Sequence, residues 1–343
     1  MEINKVDICC GLCWGDEAKG KIVSSLIKTH KYDFVCRWGG GSNAGHTIYL
    51  NGKKYHTHII PSGIFHNVIS YIGPDCYINV EDFKSELKYL SDHGFNIKLV
   101  KVSPRAHLVT DENKEEDKKN KKSNNSTGKG IAPCAGDKFR RKGIMVKDGF
   151  PDELKSYIYN GKLFGNILCE GAQGFWLDIN DNNYPYVTSS YTLPYSACSL
   201  GFPPQKIRNI YGAAKIYDTR VGCDPDFENG IKLNTPSDLK MLEKISIEGK
   251  EFGTTTGRKR SVNWLNLKKL VESINISGTN IIIISKIDIF RKLNIYKFID
   301  NNGVLQKYDS YDDIRNRICN ILMSCCPLLN KVIFSDNPDF VYL

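Results

Sequence analysis

Short apolar runs bounded by glycine-rich or polar turns recur along the chain, at residues 7–13, 34–36, 71–72, 98–102, 166–169, 210–217 and 280–285. Runs of this length, closed off by turn residues, read as buried strands. Residues 21–28 and 80–90 instead space their apolar positions at helical intervals. Strands that alternate with helices predict an α/β fold with a mostly parallel central sheet and helices on both faces. No internal repeat is visible, and one domain is expected over residues 1–343. Residues 111–126 crowd Lys, Asn, Glu and Asp with no apolar period. That stretch predicts a mobile surface loop, opening into Thr127-Gly128-Lys129-Gly130 and placed to order on a ligand.

Composition narrows the class. A chain of 343 residues with 41% hydrophobic content can bury a full core. No apolar run reaches membrane-spanning length, and the first seven residues have neither a basic lead nor an apolar stretch, so a cytoplasmic protein without membrane contact is expected. Of twelve cysteines, several sit inside apolar runs, so free buried thiols are expected rather than disulfides. Cys10 and Cys13 have CxxC spacing, but no second pair follows at zinc-finger spacing, and small residues at a strand end are the better reading. The formal net charge of +9 suits a protein that handles polyanions, nucleic acid or nucleotide phosphates. The lysines at 118–122 are offset by the acids at 111–117 and are not its source.

The first run enters Gly15-Asp16-Glu17-Ala18-Lys19-Gly20-Lys21, which has the two glycines and the lysine of a phosphate-binding loop. Backbone amides and the positive end of the following helix can cradle phosphate there. Ile22 stands where such loops carry the Ser or Thr that holds magnesium, which leaves Asp16 as the nearest candidate ligand. A second glycine-rich turn, residues 38–47, carries His46. A lone histidine is more often structural, but among flexible glycines a general-acid or phosphate-contacting role stands on equal footing.

These two segments, WGDEAKGK at 14–21 and NAGHT at 43–47, resemble the opening of adenylosuccinate synthetases. HIIPSG at 58–63, STGKGIAP at 126–133, DKFRRKG at 137–143, EGAQGFWLDI at 170–179, YPYVTSS at 184–190, TRVG at 219–222, TTGRKR at 255–260 and SKID at 285–288 follow in that family's order. The resemblance implies a homodimer that joins IMP and L-aspartate at the expense of GTP, with magnesium and a 6-phosphoryl-IMP intermediate, and it implies no nucleic-acid partner. It assigns Asp16 as the base at purine N1 and His46 as the acid at the 6-oxygen, with Lys19 and Gln173 beside them. GTP would be held by Gly15, Glu17, Ala18, Gly20, Lys21, Gly45, Thr47, Lys286, Asp288 and Ser335, and magnesium by Asp16 and the Gly45 carbonyl. IMP would lie against Asn43, Thr127, Gln173, Leu177, Thr188, Val221 and Arg258, with Arg141 of the partner subunit reaching in. Thr255, Thr256, Arg258 and Arg260 would hold the carboxylates of aspartate, two arginines being suited to bidentate contacts. The Asp288 carboxylate would pair with guanine N1 and its 2-amino group, which adenine cannot satisfy.

The chain departs from the family pattern in places. Ala18 replaces a glycine, which requires ordinary backbone angles there; Lys129 replaces an arginine, Asp218 a threonine near the ribose, and Asn337 a glycine whose left-handed conformation asparagine tolerates. The chain is short, as in the compact archaeal and viral forms. Some phage relatives attach aspartate to (d)GMP instead, but those carry serine where this chain has Asp16. A plain P-loop hydrolase is opposed by Ile22, and a non-catalytic nucleotide- or nucleic-acid-binding protein by retention of Asp16, His46, Gln173 and Arg258.

Overall fold

Neighbouring residues of the apolar runs face opposite sides of one sheet. Ile8 and Cys10 pack into one core cluster, and Cys9 between them into another. Both faces are therefore covered, which explains why the strands read as continuous apolar runs and not as alternating ones. The computed structural model describes residues 2–124, 127–222, 224–253 and 257–343.

Nine strands form the main sheet: β1 (Ile3–Gly11), β2 (Phe34–Gly41), β5 (Ile69–Ile78), β6 (Val100–Val102), β7 (His107–Leu108), β8 (Gly165–Glu170), β9 (Ile207–Lys215), β12 (Ile281–Ser285) and β15 (Lys331–Phe334). Their order is β15-β12-β9-β1-β8-β2-β5-β6 with β7 beside β5, and each pairing is parallel. Three antiparallel ribbons lie apart from it: β3 (His46–Leu50) with β4 (Lys53–Thr57), β10 (Tyr217–Arg220) with β11 (Ser261–Trp264), and β13 (Lys297–Ile299) with β14 (Leu305–Lys307). The principal helices are α1 (Lys19–Thr29), α2 (Val80–Asp92), α3 (Asp111–Asn124), α4 (Ile131–Phe139), α5 (Val146–Gly149), α6 (Pro225–Lys232), α7 (Pro236–Glu248), α8 (Leu267–Ser277), α9 (Ile287–Leu293) and α10 (Tyr311–Cys325). Strands added after β1 go to both of its sides, and ligands of open parallel sheets gather beyond the carboxyl ends of the strands at such a point.

Two local expectations are corrected. Gly39, Gly40 and Gly41 are strand rather than turn: they pair with Asp75, Cys76 and Tyr77 of β5, so closely that a Cβ on Gly41 would stand 2.7 Å from the Tyr77 carbonyl. Residues 111–124 form helix α3, not an irregular loop. The helix opens with a reciprocal pair in which Thr110 and Asn113 each accept the other's backbone N–H at 3.2 Å or less. It docks through polar atoms: Asn113 donates to Asp137 (2.7 Å), and Asp117 accepts from the Gly130 amide (2.8 Å). A helix held by such contacts carries no apolar stripe, so hydrophobic periodicity does not reveal it.

The eleven described cysteines are free thiols. Cys10 and Cys13 are both packed in the core, where burial pushes the Cys10 thiol up to about 12 and Cys13 well above its usual range. Among the described residues no helix is long and apolar enough to cross a membrane.

Candidate active site

The phosphate loop follows β1 and ends where α1 begins. Three of its residues take positive φ: Gly15 (90°), Asp16 (61°) and Ala18 (66°). Ala18 therefore lies in the left-handed region, contrary to the ordinary angles expected of it, and it opens α1 with no side-chain cap. The loop is braced from inside by Glu17, which is 1% exposed. Its carboxylate accepts from the amides of Cys13 (3.2 Å) and Gly15 (2.6 Å) and from Lys19 Nζ (2.8 Å). The Glu17 side chain and the Gly15 amide are thus committed to the loop itself, leaving the first-turn amides of α1 as the anion cradle. Burial opposes the charge on Lys19, but the Glu17 carboxylate outweighs it and raises the ammonium pKa. Ile22 is fully buried among Val35, Leu168 and Ile283, so α1 turns an apolar side where a phosphate loop would offer a hydroxyl.

His46 opens β3 against the same loop, so close that a Cβ on Gly20 would meet the His46 Cβ at 2.9 Å. Its Nδ1 bonds Glu170, the last residue of β8, and Arg37 Nη1 lies 3.2 Å from the ring nitrogens. Ser62 completes the seat, with its amide 2.7 Å and its hydroxyl 2.5 Å from the Glu170 carboxylate. Burial works against the Glu170 charge, but His46, Arg37 and Ser62 hold its carboxyl down at about 2. Burial lowers the His46 pKa, and nearby Arg37 adds to this, against the pull of Glu170. The result is a neutral imidazole backed by an ionised carboxylate, ready to gain positive charge when an anion arrives.

On the other side of the loop, Asp16 accepts from Arg260 through Nε (2.9 Å) and Nη2 (2.8 Å). Beyond β12, Lys286 caps α9 in a left-handed conformation, and Asp288 lies in that helix's first turn. Lys21 donates to Ser335 Oγ (3.1 Å) and to the Asn337 carbonyl (2.9 Å), joining the phosphate loop to the end of β15. Burial brings the Lys21 pKa down to about 8 despite the attraction of Asp288. Asn337 is not left-handed; its side chain caps the turn by accepting from the Asp339 amide at 2.8 Å.

These groups surround one cavity of about 670 Å³ at the carboxyl ends of the strands. Gly15, Asp16, Glu17, Ala18, Lys19, Gly20, Lys21, Asn43, Gly45, His46, Thr47, Thr127, Gln173, Leu177, Thr188, Val221, Arg258, Arg260, Lys286 and Asp288 all line it. Ser335 is reached through Lys21, whereas Thr255 and Thr256 lie outside the described residues. Arg141 is exposed and does not line the cavity of its own chain. Asp218, which replaces a threonine of the family pattern, does not line the cavity: it is 4% exposed, and its Oδ2 accepts from the Asn266 amide (3.0 Å). Lys129 bonds Asp82, which also holds Ser42.

Among the described lining residues eight are Lys or Arg and four are Asp or Glu, which suits a polyanionic ligand. Gln173, left-handed at φ 54°, has a buried Oε1 with no hydrogen-bond partner among the described residues. The described residues contain no group of three or more His, Cys, Asp or Glu set to hold a metal. Asp16 and Gly45 both line the cavity, and magnesium commonly takes few protein ligands and completes its shell with phosphates and water. The sequence by itself gives no role in the site to Glu170, Ser62 or Arg37. A carboxylate ending a buried strand was the available signal for Glu170.

A family model described as adenylosuccinate synthetase matches residues 8–160 and 152–304. The adenylosuccinate synthetase of Bacteroides fragilis is 35% identical over 370 aligned positions, covering 90% of this chain and 84% of that protein. The fully ligated adenylosuccinate synthetase of Plasmodium falciparum superposes with a TM-score of 0.81 at 24% identity, covering 99% of this chain and 100% of that one. The succinoaminodeoxyadenylate synthetase of cyanophage S-2L, bound to dGMP and to dATP as energy donor, superposes with a TM-score of 0.71 at 17% identity, covering 98% and 94%. These two likenesses carry the fold.

Proposed function

This chain belongs to the adenylosuccinate synthetase family and is a ligase of that type, and we propose that it joins L-aspartate to C6 of IMP with GTP as phosphoryl donor. The observation that carries this reading is the convergence of Asp16, His46, Gln173, Arg258, Arg260 and Asp288, drawn from distant parts of the chain, on one basic cavity.

In this reading Asp16 takes the N1 proton of the purine, and the 6-oxygen then attacks the γ-phosphorus of GTP with departure of GDP. His46, steadied by Glu170, takes up positive charge as negative charge gathers on the bridging oxygen and phosphoryl group. Lys19 and the first-turn amides of α1 hold the transferring phosphoryl group, which asks for positioning and neutralisation more than covalent chemistry. Magnesium, held by Asp16 and the Gly45 carbonyl, would neutralise phosphate charge. Arg258 and Arg260, with Thr255 and Thr256, present the aspartate amine to C6, and phosphate leaves. Gln173, whose buried Oε1 has no partner among the described residues, supports purine recognition. Asp288 pairs with guanine, and Arg141 of the partner subunit meets the IMP phosphate in a homodimer.

The test is direct. Purified protein with magnesium and aspartate is offered IMP, GMP or dGMP, each with GTP or ATP, and the succinyl-purine is followed by absorbance and mass. Product from IMP with GTP is expected. Product from a guanine nucleotide alone would reassign the acceptor, and no product in any combination would overturn the reading.

A further inference from the structure

Glu251 lies in the turn between α7 and β11, wholly buried at 0% exposure. Its Oε2 accepts from Lys215 Nζ (2.9 Å) and Arg260 Nη1 (2.5 Å), and its Oε1 from the Tyr217 hydroxyl (2.6 Å). The Arg260 amide also donates to the Glu251 carbonyl at 3.0 Å. Burial opposes the Glu251 charge, but Lys215 and Arg260 hold the carboxyl at about 2. Arg260 is therefore clamped at Nη1 by a fixed anion, while its opposite edge, Nε and Nη2, holds Asp16. Asp16 is 27% exposed on the cavity side, so of the two carboxylates it alone has room to leave.

We propose that Glu251 is a positioning residue for the amino-acid subsite: it pins Arg260 so that the guanidinium's free-swinging edge exchanges Asp16 for a carboxylate of incoming aspartate. The inference rests on the function proposed above. One guanidinium edge takes one carboxylate bidentately. Substrate binding at that edge therefore releases Asp16 toward the purine, and one arginine couples arrival of the nucleophile to freeing of the base. Without Glu251, Lys215 and Arg260 would share a dry pocket with no fixed anion, and the guanidinium would follow Asp16 instead of staying in the subsite. Lys286 stands 3.9 Å from Glu251 but has its own anchor, the Gly249 carbonyl at 2.8 Å, so the triphosphate side should respond less.

Glu251→Gln and Glu251→Asp are compared with the parent by steady-state kinetics in each substrate and by calorimetric binding of L-aspartate in the presence of nucleotides, with circular dichroism as the check on folding. Glu251→Gln should raise KM for aspartate about tenfold or more while leaving KM for both nucleotides within about twofold, and Glu251→Asp should recover part of the loss. Activity lost in proportion to the folded fraction, with KM and affinity for aspartate unchanged, would overturn the positioning role. If the parent forms no succinyl-purine yet binds aspartate in a Glu251-dependent way, the proposed reaction fails and this inference stands. A parent that binds no aspartate overturns both.

Discussion

At Ala18 the chain places a Cβ where φ is 66°, a conformation that costs an L-residue about 1–2 kcal/mol relative to the right-handed region. Strain of this kind persists where surrounding contacts over-determine the backbone, and the Glu17 carboxylate bridging Cys13, Gly15 and Lys19 does so here. Ala18→Gly should therefore stabilise the protein by about 0.5–1 kcal/mol, after the extra unfolded-state entropy of glycine is subtracted, as measured by urea denaturation. Single residues also mark the limit of reading along the chain. His46 stands out among its glycines, but the carboxylate that its Nδ1 bonds, Glu170, is 124 positions away. Glu17 reads as a nucleotide ligand in the loop, yet its side chain points inward because three donors of the same loop surround it.

At the scale of elements, the ribbon of β10 and β11 delivers Asp218 to the start of α8, where it accepts the Asn266 amide. Burial raises the Asp218 carboxyl to about 7 from its ordinary 3.8, against the lowering pull of the Asn266 amide. The unfolded chain then loses this proton first as pH rises from 3.8, so the native state loses stability across the window up to about 7 and not beyond it. Glu170 and Glu251, both held at about 2, act in the opposite sense: their contribution is present above 4.5 and is lost as pH falls toward 2. Asp218→Asn should remove the decline between pH 4 and 7, leaving the variant more stable than the parent at pH 8 by on the order of 1 kcal/mol or more, in denaturant titrations across that range. The same scale shows why strands were legible and α3 was not. Strands buried on both faces announce themselves as apolar runs, whereas α3 is held by Asn113 and Asp117, polar groups that look solvated until their partners are known.

For the whole molecule, nine parallel strands bring the ends of β1, β2, β8, β9, β12 and β15 to one edge, so a loop near residue 16 and an arginine 244 positions later share an ion pair. The site of one chain nevertheless lacks Arg141, which is exposed with φ 61° and faces no part of its own cavity. If Arg141 of the partner subunit completes the site, Arg141→Leu and Asp16→Asn should each be nearly inactive alone, a general base being worth about 10²–10⁴-fold. Mixing the two variants should then restore activity, because each heterodimer holds one site with both native residues. Activity that stays absent in a mixture shown by native mass spectrometry to contain heterodimers would exclude the shared site.

The amino-acid sequence alone determined the mostly parallel α/β class, most strands of the main sheet, the buried thiols, the phosphate loop after β1 and, through motifs that follow one family's order, about half of the cavity lining. The strands and the phosphate loop are encoded locally, by apolar period and by glycine within a few positions, whereas the cavity residues were legible through the resemblance of whole motifs. Only the tertiary structure decided which charges face one another: Asp16 with Arg260, Arg260 with Glu251, Lys21 with Ser335, His46 with Glu170. Such pairs span tens to hundreds of positions, and burial removes the water that would otherwise level their energies, so their partners follow from the order of strands in the sheet and not from any stretch of the chain.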